Sequence, residues 1–284
     1  MKYQPLFIAS TGRAGSTLMM RILSCHPQIL IRTLFPYETR AAQYYYISSL
    51  QEPKLTSFLP VKFKNAEYRP FNSKLDPKSL AWSEKYNNLD LGNNGENITS
   101  KYYNFLSEIE NKSEAIYYAE KTIGLSLMKE ITQSLENSKV IFLQRDPRDI
   151  FFSIKSFNAK RGSLTFGEED GDEALFSRLI TFYKVSIKLM ETLKERAIVI
   201  RYEDIMVNNY ETLLWLFKKL GLNHKQELIN SIIDSAFLLD NNTKQHCTTS
   251  KGESSVSRWK QNANNRYLEI FDEFKNTLEI LGYD

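Results

Sequence analysis

The sequence predicts an α/β chain: a parallel sheet with helices on both faces, in three layers. Three observations carry that expectation. The apolar run at residues 6–9 breaks into a turn rich in small residues and then resumes with helix-forming residues, which is the strand, turn, helix order of a parallel unit. Further apolar runs at residues 115–119, 139–143 and 198–200 alternate with helix-like stretches. These runs lead into the polar segments EKT, QRDPRD and RYEDI, and open parallel sheets bind their ligands at the carboxyl ends of the strands.

Taken in order, residues 6–9 read as a buried strand, residues 10–16 as the turn, and Thr17 onward as a helix that His26-Pro27 ends, because Pro27 disfavours helical geometry at the residue before it. Residues 28–32 read as a short strand. From about residue 48 to 111 the text is polar and irregular, with Pro53, Pro60, Pro70 and Pro77, and is expected to be an insertion on the acceptor side of a site. Its tyrosines, with Tyr44, Tyr45, Tyr46 and Trp82, are read chiefly as local packing, with stacking on sugar rings as the functional alternative. Residues 126–135 have amphipathic helical spacing, 149–157 look helical, and 173–196 form a long helix with one apolar side. Residues 210–220 form a helix stopped by Gly221. No repeat or linker appears, so one domain over residues 1–284 is the simplest partition.

Composition narrows the function classes. Lys and Arg total 37 against 34 Asp and Glu, a net charge of +3, too small to make nucleic acid the expected partner. No apolar stretch is long enough for a membrane span, and the first strand follows the N-terminus without a leader-like segment, so the expected location is cytoplasmic. Cys25 and Cys247 lack metal-ligand spacing and, with only three histidines, no metal site is expected.

The turn at residues 10–16 carries the first chemical signal. Gly12 and Gly15 let the backbone bend so that amide groups and a helix N-terminus converge on one anion. Gly15 is followed by Ser16 and Thr17, without the lysine that a nucleoside triphosphate loop places there. Arg13 instead offers a planar cation with several donors. A second signal lies in RDPRDIFFS, where Arg145 follows a strand and Ser153 lies on the first turns of the next helix, so that both face one phosphate. An ion pair of Arg145 with Asp146 or Asp149 is the structural alternative.

The turn GRAGST with its following helix and HP, the segment RDPRDIFFS, the RYEDI strand end and the late HCTTSKGESSVSRW together resemble the sulfotransferases that use 3′-phosphoadenosine 5′-phosphosulfate (PAPS). That resemblance implies a P-loop-like sulfotransferase fold, with adenosine 3′,5′-bisphosphate as product. It implies that Arg13, Ala14, Gly15, Ser16 and Thr17 hold the 5′-phosphosulfate and that Arg145 and Ser153 hold the 3′-phosphate. It also implies that the late segment at residues 249–259 closes over the donor, with Ser250 and Lys251 as polar contacts and Trp259 read as core. PYETR is similar to the EETR of the tyrosylprotein enzymes, which makes Glu38 the expected general base, and Lys121 of EKT resembles a family lysine near the sulfuryl group.

The resulting expectation is transfer of a sulfuryl group to a hydroxyl or amine of a carbohydrate or small metabolite. Glu38, Lys121 and Arg13 carry the chemistry, and no metal is required. His26 and His246 are rival bases, and His26 is read as structural beside Pro27. A small-molecule kinase with a degenerate phosphate loop, or a non-catalytic nucleotide- or glycan-binding module, are the alternatives. The acceptor class and the oligomeric state are not legible in the sequence.

Overall fold

The computed structural model describes residues 2–33, 37, 42, 95–121, 124–238 and 254–283. Strand β1 (Gln4–Ala9) is followed by helix α1 (Ser16–Cys25), β2 (Ile29–Leu30), α2 (Gly95–Ile109), β3 (Tyr117–Lys121), α3 (Leu125–Ser134), β4 (Lys139–Gln144) and α4 (Pro147–Arg161). Then come α5 (Asp172–Leu193), β5 (Ala197–Arg201), α6 (Tyr202–Val207), α7 (Asn209–Leu220), α8 (Gln226–Phe237), α9 (Trp259–Asn262), α10 (Asn265–Asp272) and α11 (Lys275–Ile280). The five strands are parallel and lie in the order β2-β3-β1-β4-β5. The α/β expectation holds.

The continuous apolar runs of β1 and β4 follow from this order, because both strands are interior and covered on two faces. Leu6, Ile8, Ile141 and Leu143 pack on one face with Met19, Met20 and Leu23 of α1, Leu216 and Phe217 of α7, and Ile229 and Ile232 of α8. Phe7, Ala9, Val140 and Phe142 pack on the other face with Tyr102, Tyr103 and Leu106 of α2, Met128 and Ile131 of α3, and Leu189 of α5. A third cluster joins α4 and α5 to α10 and α11 through Phe151, Phe176 and Phe271.

Element boundaries shift where local chemistry outweighs periodicity. Helix α4 starts at Pro147, before the expected residue 149, because Asp146 caps it by accepting from the Arg148 amide and Pro147 supplies the fixed φ of a first helical position. The long helix ends at Leu193, and Lys194–Arg196 tighten into a 3-10 turn that leads into β5. No helix among the described residues is long and apolar enough to cross a membrane.

Candidate active site

Register places the site. β1 pairs Ile8 with Lys121, β4 pairs Phe142 with Ala9, and β5 pairs Arg201 with Gln144. The turn after β1, Lys121, Arg145 after β4 and Tyr202 after β5 therefore all emerge at one edge of the sheet. β1 sits between β3 and β4, and the chain runs from β1 to one side and later crosses to the other. This is the topological switch point at which open sheets bind ligands.

In the turn, Gly15 has φ +96°, and a side-chain carbon there would lie 2.4 Å from the Tyr202 ring. Glycine is required on both counts. Gly12 lies in the turn but does not have positive φ. The second left-handed residue is Arg13, at φ +67°. Gly12 is small for a different reason: a Cβ there would meet the Phe166 ring at 2.5 Å. Ala14 is buried, Gly15 is the N-cap of α1, and the first intrahelical bond runs from the Met19 amide to the Gly15 carbonyl. The amides at the start of such a helix have no intrahelical acceptor and point outward with the positive end of the helix dipole. Ser16 and Thr17 open this helix, and the Thr11 hydroxyl in the turn is buried with no hydrogen-bond partner among the described residues.

The two anion signals converge. Arg13 Nε donates to Ser153 Oγ at 3.3 Å, and its guanidinium lies 4.5 Å from the centre of the Phe157 ring. Arg145, 5% exposed, donates from Nη1 to the Arg13 carbonyl at 2.8 Å and from Nη2 to the Ser255 carbonyl at 2.7 Å. Its guanidinium stacks 4.4 Å from the centre of the Tyr202 ring. The Arg145 peptide is clamped by Tyr183 of α5, whose hydroxyl donates to the Arg145 carbonyl and accepts from its amide. One buried donor, Arg145 Nε, has no partner among the described residues.

The expected alternative for Arg145, an ion pair with Asp146 or Asp149, is not formed. Asp146 pairs with Arg148 at 2.8 Å. Asp149, fully buried, accepts from the Ser257 amide at 2.8 Å and the Trp259 amide at 2.9 Å. Burial pushes the Asp149 carboxyl upward, opposed by the Trp259 amide and the Arg145 charge. Glu203 is raised by burial as well and accepts from the Asp146 amide at 2.9 Å.

Lys121 is buried on the α1 face, and its Nζ donates to Thr17 Oγ1 at 3.0 Å. The neighbouring Glu120 points to the opposite face, as strand alternation requires, and accepts from the Ala42 amide at 2.7 Å and from the Tyr103 hydroxyl. His26 is buried and structural: Nε2 meets the Asn223 carbonyl at 2.8 Å, Nδ1 accepts from the Gln28 amide, and burial lowers its pKa. Trp259 is half-buried at the margin of the third cluster, edge-on to Phe271 with the Arg148 guanidinium over its face, so it borders the core rather than lying in it. Glu38, Ser250, Lys251 and His246 lie outside the described residues. Among the described residues, no group of three or more His, Cys, Asp or Glu could share a metal ion.

Sequence reasoning missed Tyr202, Tyr183 and Asp149. The signal for Tyr202 was present, since it directly follows a strand in RYEDI at the ligand edge. Tyr183 and Asp149 act through packing between distant elements and leave no local pattern.

Comparison with known proteins fits this geometry. Residues 5–226 match the model of the sulfotransferase family. No curated protein matches the chain. Among solved structures, the sulfotransferase domain of the Synechococcus PCC 7002 olefin synthase superposes with a TM-score of 0.60 at 18% identity, covering 100% of this chain and 97% of that one. The sulfotransferase domain of the curacin biosynthetic pathway gives 0.52 at 19% identity, covering 99% and 98%. Mouse sulfotransferase SULT7A1, solved with PAP, gives 0.53 at 12% identity, covering 98% and 84%. At these identities the likeness to solved structures is one of fold, and membership rests on the family match over most of the chain. The chain belongs to the sulfotransferase family.

Proposed function

We propose that the protein transfers a sulfuryl group from PAPS to a hydroxyl or amine of a carbohydrate or small metabolite. The observation that carries this reading is the joining of the two arginine centres: Arg145 holds the Arg13 carbonyl while Arg13 reaches Ser153. The glycine turn and the Arg145–Ser153 pair thus belong to one site. A donor with phosphate at both its 5′ and 3′ positions offers an anion to each half of that site, whereas a nucleotide with 5′-phosphates alone leaves the Arg145 half unused.

The residues present fit such a donor. Arg145 Nε and the Thr11 hydroxyl are buried without partners among the described residues, and a buried donor left unpaired is costly unless another group completes it. The donor supplies a sulfuryl group on a phosphate leaving group. In this reading the amides of residues 15–17 and Arg13 hold the 5′ end and take up the charge left on phosphate as the sulfur–oxygen bond to it breaks. Lys121, held beside Thr17, adds a cation on the same side of the turn. Glu38 accepts the proton of the acceptor group as the new bond to sulfur forms. Arg145 and Ser153 hold the 3′-phosphate, and Ser250 and Lys251 add polar contacts. The insertion expected at about residues 48–111 is assigned the acceptor, except its last part, Gly95–Ile109, which is helix α2 and packs Tyr102, Tyr103 and Leu106 against the sheet, and the PAP bound in mouse SULT7A1 is the product expected here.

Titration calorimetry with adenosine 3′,5′-bisphosphate tests the donor assignment. Arg13→Ala and Arg145→Ala are each expected to weaken binding by about tenfold or more, and unchanged affinity in both defeats it. Binding of ATP with magnesium in place of the bisphosphate would favour the kinase alternative. Screening glycans, lipids, phenols and peptides with a radiolabelled sulfuryl donor identifies the acceptor, and bisphosphate binding without transfer to any class would favour a non-catalytic module.

A further inference from the structure

The segment 254–259 runs along α4, and one buried carboxylate fixes it there. Asp149 receives the Ser257 amide on Oδ2 and the Trp259 amide on Oδ1. Both amides reach the same carboxylate because Ser257, between Val256 and Arg258, turns at φ +57°. A non-glycine residue in that region costs on the order of 1 kcal/mol, so the turn is held by its bonds. The held segment in turn touches the donor pocket. Its Ser255 carbonyl accepts from Arg145 Nη2, its Ser255 hydroxyl bonds the Tyr202 hydroxyl at 2.8 Å, and Arg258 Nη2 donates to Ser156 Oγ at 2.8 Å.

We propose that Asp149 is a positioning residue for donor binding: by holding the Ser257 and Trp259 amides it places the Ser255 carbonyl, which orients the Arg145 guanidinium toward the 3′-phosphate. The proposal rests on the PAPS reading above. Asp149 itself touches no part of the proposed reacting centre. The Arg145 guanidinium is gripped from two sides, by the Arg13 carbonyl and by the Ser255 carbonyl, and stacks on Tyr202. That grip leaves Nε as the donor without a partner among the described residues. Release of the segment removes one side of the grip and frees the fork to rotate.

Simple charge counting gives the opposite sign, which makes the inference testable. Asp149 lowers the local positive potential around Arg145, so a neutral residue in its place should tighten anion binding if only charge matters. If position matters, Asp149→Asn weakens binding, because the amide keeps one acceptor oxygen where two amides need one each.

The experiment is calorimetry of the full chain and of Asp149→Asn and Asp149→Ala with adenosine 3′,5′-bisphosphate and with adenosine 5′-monophosphate. Failure of the unsubstituted protein to bind the bisphosphate defeats the donor reading itself. With binding present, the expected result is an affinity loss of about tenfold for Asp149→Ala, a smaller loss for Asp149→Asn, and little change for the monophosphate. In turnover the loss should fall on KM for the donor more than on kcat. Bisphosphate affinity equal to or tighter than that of the unsubstituted protein in a folded variant overturns the inference. A loss shared equally by the monophosphate also overturns it. Should both variants fail to fold, hydrogen exchange in the unsubstituted protein decides. The Ser257 and Trp259 amides are expected to exchange more slowly when the bisphosphate is bound, by reciprocity of linkage, and unchanged exchange rejects the role.

Discussion

Replacing Arg145 with lysine keeps a positive charge and removes the planar fork, so it separates charge from geometry in the second anion pocket. The guanidinium makes two carbonyl bonds, at 2.8 and 2.7 Å, and lies 4.4 Å from the Tyr202 ring centre. A lysine ammonium at the end of a flexible stem replaces at most one of these bonds with its charge still facing the phosphate, and it loses the stacked plane. One charge-assisted hydrogen bond is worth about 1.5–3 kcal/mol and a partly desolvated cation–ring contact about 1–2 kcal/mol. The retained charge offsets part of that sum, leaving a net loss of about 2 kcal/mol, or roughly thirtyfold in affinity. The assay compares adenosine 3′,5′-bisphosphate with adenosine 5′-monophosphate by calorimetry on both proteins. The unsubstituted protein is expected to prefer the bisphosphate, and Arg145→Lys to lose most of that preference while binding the monophosphate as before. If the preference survives intact, Arg145 does not read the 3′-phosphate and the proposed donor assignment is wrong.

Gly15→Ala is expected to lower stability by about 1–3 kcal/mol and to abolish tight bisphosphate binding, because the residue sits at φ +96° with the Tyr202 ring 2.4 Å from the added carbon. Thermal melting and calorimetry check it, and a normal melt with normal affinity contradicts the packing described. Lys121→Ala and Glu38→Gln are each expected to cut kcat by about a hundredfold or more, with bisphosphate affinity changed only a few fold; an affinity loss matching the rate loss would make them binding residues. Lys112 donates from Nζ to the carbonyls of Ser24, His26 and Ile29, joining the end of α1 to β2. Lys112→Met is therefore expected to cost about 2–4 kcal/mol in urea unfolding at neutral pH. Burial pushes the Lys112 pKa down from 10.5 to about 8. Between those two values the unfolded chain binds the extra proton, so the stability of the natural protein relative to Lys112→Met should rise as pH increases from about 8 toward 10.5. A fall over that window would show that the three carbonyls hold the ammonium more strongly than burial opposes it.

The parts of this molecule that were legible in the sequence are those decided by nearest neighbours along the chain. Residues 6–9 and 139–143 read as buried strands because interior parallel strands need apolar residues on both faces, and they became β1 and β4. The anion turn, Arg145 and Ser153 were found from strand-end position and residue type. What escaped was decided across the sheet. Tyr202 meets Gly15 and Arg145 only because β5 lies beside β4 and β4 beside β1, an order that no spacing in the sequence encodes. Both glycines lie in the turn, as residue type suggested, but only the contacts show why: Gly15 takes positive φ, Arg13 takes it at the other end, and Gly12 makes room for Phe166, a residue 154 positions away. Helix α4 began two residues earlier than its periodicity suggested, although the Asp146-Pro147 cap that sets its start is itself a local signal.

The electrostatics of Arg145 join these observations to function. A buried arginine in a structural role commonly meets a carboxylate, because an uncompensated buried charge is expensive. Among the described residues, no carboxylate lies within ion-pair distance of Arg145. Its bonds go to two backbone carbonyls and a ring face, and one N–H has no partner. Three acids lie nearby and each is committed elsewhere, Asp146 to Arg148, Asp149 to two backbone amides and Glu203 to the Asp146 amide. Such a centre is held in place by backbone dipoles and a ring face, with nearby acids acting on it only at a distance, so in the proposed reading an arriving dianion need not displace a bonded protein carboxylate. The same arrangement predicts that a carboxylate introduced beside it, as in Ser153→Asp, would occupy the fork and weaken the bisphosphate by more than Ser153→Ala does. Equal losses in the two variants, read by the same calorimetry, would mean that Ser153 matters only through its own hydroxyl and that the charge of Arg145 is not what the anion meets.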